Sequence, residues 1–480
     1  MKNSRITTSF IVCLCFFVQI NGQDGHYWTQ QYGTRSMLLS GSVIGGVEDL
    51  GAVYYNPARL SQIDNPAFIL SADVYEVNNI EIKDAFGDNI SSKRRDIRGV
   101  PSLAAGTFKL PFLEKHSFAW AILLRSDGNL GFSYKNEVYD DVIGEYPGNE
   151  YFGAEASLTQ KSNDQWTGLN WSYPITDKLS VGMSGFLSLV SQNKGMQVNL
   201  QAYTDSNETA SYRFNRNVSF EQYSFIGKLG FSYIHKYFTA GLTFLTPRYY
   251  LKGKGGYNYE EFFSGIHNQS DENDRYISSY QSDIKINYQS SYAMGGGVSI
   301  HVKKSKIHLS SEWYSPLTHY TIMEADNYIG QSSGDTLGFK LIDELHSVVN
   351  FGIGVELYLN DKVSGYVSAC TDYSGVATNI SRFFENEPVA SNSIFQADYY
   401  HFGGGVVMHF KVADITLGGT YTGANQQFNR PINFPDNAGE KIFDSNDKAT
   451  LSWDRFRLVF SFSVPFIADV QKKVEDKLGF

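Results

Sequence analysis

The side chains able to do chemistry are few and dispersed along the 480 residues. The ten histidines share no ligand spacing. His308, His401 and His409 alternate with apolar neighbours, so they belong to the polar face of strands. There an imidazole is satisfied by hydrogen bonds, and no second ligand stands near it in sequence to build a metal site. Cys13 and Cys15 fall in the leader, and Cys370 stands alone, so neither a disulfide nor a cysteine metal site is expected. The glycine runs that begin at Gly295 and Gly403 lie inside alternating segments without a following Gly-Lys-Ser/Thr. That pattern is wrong for a phosphate loop and suits close approach of another backbone. No nucleophile and base are paired, so catalysis, cofactors and metals are not expected. Two charged features remain. Lys228 lies opposite Phe225, Leu229 and Phe231, where an ammonium can hold a carboxylate by a charge-assisted hydrogen bond. That carboxylate is either a substrate's or one from Glu48 or Asp49. The basic run Lys93-Arg94-Arg95 with Arg98 reads as a solvated first loop or as a contact with anionic lipopolysaccharide.

The elements that must position these groups are strands. Residues 1–22 read as a signal peptide: Lys2 and Arg5, then a short apolar core from Phe10 to Val18, then Asn21-Gly22. Beyond it no apolar run is long enough for a membrane helix. Aromatics make up 15% of the chain against a hydrophobic fraction of 42%, so apolar side chains are spread thinly and regularly. They recur with a period of two. Leu179, Val181, Met183 and Leu187 alternate with Ser180, Gly182, Ser184 and Ser188. Phe456, Leu458, Phe460 and Phe462 alternate with Arg457, Val459 and Ser461. Short polar links, such as Thr176-Asp177-Lys178, Asn360-Asp361 and Val412-Ala413, alternate with long ones: Ser191 to Glu221, Pro247 to Ser290 and Tyr314 to His346. A soluble sandwich or propeller has no reason for that alternation, whereas an up-and-down membrane barrel requires it. The pattern predicts an all-β antiparallel transmembrane barrel of about fourteen strands over residues 65–466, with both termini periplasmic. The net charge of −10 is mild for this length and argues against nucleic acid as a partner. A barrel this wide leaves a lumen, since roughly eight strands suffice to be filled by side chains alone. Residues 23–64 precede the first strand and are long enough to fill it. Residues 467–480 read as a short amphipathic tail, with Phe466 as the aromatic end of the last strand.

The stretch Gly33-Thr34-Arg35-Ser36-Met37, with Gly41, Gly45-Gly46-Val47-Glu48-Asp49 and Tyr54-Tyr55-Asn56-Pro57-Ala58-Arg59-Leu60, resembles the N-terminal hatch of the FadL/TodX family. The resemblance implies a fourteen-stranded outer-membrane barrel plugged by that hatch. It also implies passive uptake of long-chain fatty acids or other hydrophobic compounds. The hatch motif would then be Gly45, Gly46, Glu48, Asp49, Tyr55, Asn56, Pro57 and Ala58, with Lys228 a candidate substrate anchor in the lumen. Expected partners are hydrophobic small molecules, fatty acids or aromatics, together with outer-membrane lipids and lipopolysaccharide. Substrates would first meet loop aromatics such as Tyr257, Tyr259, Phe262 and Phe263. The family's third strand is kinked, yet Ser117 to Leu124 carries no Gly or Pro. FadL-like barrels also serve type IX protein secretion, so a secretion or surface-assembly component is the alternative function.

The strand parity gives a direct test. A tag at Asp271 or Gly334 should be reachable on intact cells, and a tag at Lys304 should be hidden. The reverse accessibility would invert the orientation.

Overall fold

The structure is a computed structural model that describes residues 25–63, 69–71, 73–99, 102–143, 146–265, 274–377, 383, 387–393, 395–410, 414–430 and 447–463. The signal peptide, Asp64, Val412-Ala413, Asp271, Phe466 and the 467–480 tail lie outside the described residues.

Alternation with a period of two puts successive side chains on opposite faces of a strand. Among the described residues it produces fourteen ladder strands: β1 (Ile69–Ser71 and Asp73–Lys83), β2 (Ser92–Arg98 and Leu103–Phe108), β3 (Ser117–Asp140), β4 (Glu150–Pro174), β5 (Leu179–Thr204), β6 (Thr209–Ile234), β7 (Phe238–Leu245 and Tyr249–Ser264), β8 (Arg275–Ile284 and Ala293–Val302), β9 (Ser305–Tyr314), β10 (Val348–Asn360), β11 (Val363–Asp372), β12 (Tyr399–His409), β13 (Asp414–Asn429) and β14 (Lys448–Ser463). Each pairs antiparallel with its neighbour in sequence. The last then pairs back on the first, with Leu458 opposite Tyr75. The ring is a closed antiparallel barrel.

Its outer face carries Met183, Leu187, Phe225, Leu229, Phe231, Leu242, Phe351, Ile353, Phe456, Leu458 and Phe460, all exposed. Between them Ser180, Ser184, Ser188 and Ser232 point inward and are buried. Apolar outside and polar inside is the membrane-barrel arrangement.

The strands run further than the apolar band. β3 and β4 continue to Asp140 and from Glu150, and β5 and β6 meet across residues 205–208. The expected long link from Ser191 to Glu221 is therefore mostly ladder. Past the band the polarity inverts: Met196, Val198, Leu200, Phe214, Val218 and Phe220 are buried inside, while Gln197, Asn199 and Gln201 lie on the opposite face. Water replaces lipid on the outer side there, and an apolar insert fills the inner side. The insert is the segment expected as a loop between Tyr314 and His346. Its strands Leu317–Ile329 and Thr336–Leu345 form a hairpin, joined in parallel by Val389–Ser391. It packs Met323, Phe339 and Leu341 into a second core with Phe214, Phe220 and Tyr257. Tyr257 stacks on Phe339 with ring centroids 4.8 Å apart.

Two further expectations are corrected. Lys93-Arg94-Arg95-Arg98 belongs to β2, not to a loop, because Ser92–Arg98 pairs with Glu76–Ile82 and Lys93 meets Glu81 at 3.2 Å. Tyr257, Tyr259, Phe262 and Phe263 lie on β7, paired with β6 and β8, and not on a free loop.

The wall orientation predicts the cost of charge on it. Leu458→Arg and Phe460→Arg place a cation in the lipid-facing band, costing about 2–4 kcal/mol each at mid-membrane. Both should lose folded barrel in a heat-modifiability assay, while Leu458→Ile should not. Undiminished folding of both arginine variants would put that face elsewhere.

Candidate functional site

The first described segment, residues 25–63, sits inside the ring and is buried almost throughout. It holds only short helical turns: α1 (Thr34–Leu38), α2 (Ala52–Tyr55) and a 3-10 turn at Pro57–Gln62. Side chains replace the missing regular hydrogen bonds. Asp49 accepts from the Ser36 backbone N–H (2.9 Å), the Ser36 hydroxyl (2.8 Å) and the Gly51 N–H (2.9 Å). Burial pushes its carboxyl above the usual carboxylate range, and these donors only partly oppose the shift. The Tyr55 hydroxyl accepts from the Tyr32 N–H at 2.9 Å. Asn56 caps the 3-10 turn by accepting from the Ala58 N–H at 3.2 Å, and Pro57 starts that turn where no N–H is needed. The Asn56 amide also donates to the carbonyl of Ile44 (2.9 Å) and, across to the wall, to that of Phe231 (3.1 Å).

The wall is shaped to receive this segment. A Cβ on Gly297 would lie 2.7 Å from the Gly45 nitrogen, and one on Gly241 would lie 2.3 Å from the Ile44 oxygen. A Cβ on Gly182 would lie 2.5 Å from the Ala58 nitrogen, and one on Gly46 would meet the Ser299 hydroxyl. Wall hydroxyls then satisfy hatch carbonyls. Ser172 and Ser180 both donate to Ala58 at 2.8 Å, Ser184 to Val53 at 2.7 Å, and Ser368 to Leu38 at 2.8 Å. Glu48 pairs with Lys306 of β9 at 2.6 Å.

The start of the hatch is gripped by charge. Asp372, at the end of β11, accepts from the N–H groups of Tyr27 (2.8 Å) and Trp28 (3.0 Å) and from the Thr29 hydroxyl (2.6 Å). The carbonyls of the same residues turn the other way. Arg125 of β3 donates to Tyr27 at 2.9 Å, and Arg455 of β14 donates to Thr29 at 2.6 Å. Lys228 is buried and lies 3.5 Å from Glu312 of β9, with its ammonium 4.6 Å from the Tyr54 ring centroid. Glu312 also accepts from the Trp28 indole at 2.9 Å. The carboxylate beside Lys228 is thus a wall residue, neither Glu48 nor Asp49. His308 and His401 face inward and are buried, with Ser299 and Thr422 as hydrogen-bond partners.

Among the described residues, strand pairing in the wall is incomplete beside the grip. The β3–β4 register shifts between Leu124 and Ser126, a bulge at Arg125 one residue past the stretch that carries no Gly or Pro. The Leu124 N–H still reaches the Ser102 carbonyl at 3.0 Å. Beyond it, among the described residues, Ser92–Arg98 of β2 pairs only with β1, and residues 126–140 of β3 pair only with β4. Arg94 spans the interval by donating to the Gly131 carbonyl at 3.4 Å. Against this gap lies a cavity of about 230 Å³. Ile80, Leu130, Phe395, Tyr399, Leu451 and Trp453 line it, with Arg125, Asn129 and Gln160, and the hatch contributes His26, Thr29 and Gln30.

No family model matches the sequence, and no curated protein matches it. Solved structures do. The Pseudomonas putida toluene transporter TodX superposes with a TM-score of 0.54 at 13% identity, covering 91% of this chain and 99% of that one. The CymD monoaromatic hydrocarbon channel gives 0.51 at 11% identity over 90% and 97%. A Pseudomonas aeruginosa FadL homologue gives 0.51 at 10% identity over 91% and 99%. The chain has the FadL/TodX fold. In this FadL/TodX-type barrel the hatch residues singled out from sequence all lie in the lumen segment, and Lys228 faces the same lumen. Asp372 and Arg125 escaped the sequence reading. Asp372 continues the inward phase of Ser364, Tyr366 and Ser368, so its direction was legible, but its partners were not.

The glycine cradle predicts a selective defect. Gly297→Val adds side-chain atoms where the Gly45 nitrogen already lies, without removing a ladder bond. The variant should keep a heat-modifiable barrel yet show intermittent conductance in planar bilayers. A variant as silent as the unaltered protein would mean the hatch does not depend on that fit.

Proposed function

We propose that the chain is an outer-membrane channel for passive uptake of small hydrophobic molecules, with both chain ends on the periplasmic side. The observation that carries this is the aromatic-lined cavity, placed between the residues by which the hatch is gripped and the stretch where, among the described residues, β2 and β3 do not pair with each other. An apolar molecule there leaves water without needing an energy source or a cofactor. The kinds of compound named for TodX and CymD support compact aromatics as substrates. The size of the cavity does too: about 150 Å³ suffices for benzene, and a space of about 230 Å³ suits one ring better than a folded long acyl chain. Long-chain fatty acids remain the competing substrate class. Basic β2 residues such as Lys93 and Arg95 suit contact with anionic lipopolysaccharide.

The test is uptake into proteoliposomes of toluene, oleate and a sugar of similar mass to toluene. Toluene should enter faster than through protein-free vesicles, the sugar should not, and oleate should gain less than toluene. If no hydrophobic compound gains over protein-free vesicles, the uptake reading fails and the secretion alternative stands. Secreted cargo would then accumulate in the periplasm of cells lacking the protein.

A further inference from the structure

We propose that the cavity at the wall gap takes molecules bearing a carboxylate on an aromatic ring, and that Arg125 is the residue that selects them. The proposal rests on the uptake reading and narrows its substrate class.

Arg125 is only 2% exposed, yet among the described residues no acid forms an ion pair with it, and Asp164, which acts on it at longer range, is held by Arg248. Among the described residues the one hydrogen bond of Arg125 is the donation to the Tyr27 carbonyl, and its Nε is buried without a partner. A guanidinium has five N–H donors in a fixed fork, and a buried cation without an anion is costly. Lys228, the buried cation for which the sequence suggested an anion, already has Glu312 at 3.5 Å. The carboxylates around the cavity are largely committed elsewhere. Glu76 is held by Arg457 at 2.7 Å and Asp96 by Arg94 at 2.9 Å. The same lining carries one further acid, Asp127, and one further guanidinium, Arg455. The rest of the recognition is aromatic. Tyr399, stacked on His26, and Trp453 line the same cavity edge to face with ring centroids 4.6 Å apart, and Phe395 and Leu130 extend its apolar side. A planar carboxylate matches the guanidinium fork, and the ring it carries matches the aromatic wall.

The probes are benzoate, methyl benzoate and toluene, titrated calorimetrically at pH 7 into the full chain in nanodiscs. Benzoate should bind at least about tenfold more tightly than its neutral ester, the size of one charge-assisted hydrogen bond. Arg125→Met should abolish that preference, and Arg125→Lys should keep part of it. Equal affinity of the unaltered protein for benzoate and methyl benzoate would overturn the proposal, as would a preference that survives Arg125→Met. If Arg125→Met yields no folded barrel, the comparison of acid and ester on the unaltered protein decides alone. Toluene binding without a benzoate preference sinks only this inference. Absence of toluene binding and uptake sinks the channel reading itself.

Discussion

A ring of fourteen strands cannot fill its own interior, and everything inside this protein follows from that constraint. The filling must be polar enough to sit in a lumen, compact enough to fit, and too irregular to form a ladder with the wall. A segment of that kind carries many backbone groups without regular partners, and each buried one must be satisfied. The wall does this in two ways. Small residues let the hatch backbone approach closely, as at Gly182, Gly241 and Gly297. Inward hydroxyls and charges then reach its carbonyls and amides, with Ser172, Ser180, Ser184 and Ser368 on carbonyls and Asp372 on two amides.

The grip is uneven. At the Asn56-Pro57 end, neutral contacts of normal length hold a capped turn against several strands. At the Tyr27–Thr29 end, the holding groups are Asp372, Arg125 and Arg455, all charged and buried. Charge-assisted bonds are stronger, but they can also be exchanged for a ligand's charge. The cavity lies at that second end, as does the stretch where, among the described residues, β2 and β3 are not paired with each other. The site where a molecule would lodge and the site where the hatch is tied therefore share residues. A molecule bound there bears directly on the stopper.

The barrel was largely legible because lipid imposes a strict rule on one face. Met183, Leu187, Phe225, Leu229 and Leu458 announce their strands two residues at a time. The strand extensions were hidden because the rule reverses outside the band. On β5 the odd-numbered positions are apolar up to Leu189, Gly185 apart, and after the inward polar pair Gln192 and Lys194 the even-numbered ones are apolar at Met196, Val198 and Leu200. The apolar phase shifts by one residue, and its meaning changes from lipid outside to an insert inside. Reading only for outward apolar faces turns those strands into loops. The insert itself has no such signal, because its packing depends on which wall residues stand opposite Phe339 and Met323. In the hatch, the glycines and Asn56-Pro57 marked a compact segment, whereas the pairing of Asp372 with residues some 340 positions earlier is set by barrel closure alone. The bulge at Arg125 has no Gly or Pro to betray it.

The measurement that bears most directly on this account is single-channel conductance of the full chain and of a form lacking residues 23–64, side by side in planar bilayers. The alternating segments that build the ring are untouched by that excision, so the barrel should still assemble. The full chain should stay closed, and the excised form should show large, steady, unselective conductance. An excised barrel that remains as closed as the full chain would contradict the claim that the hatch is what seals the lumen.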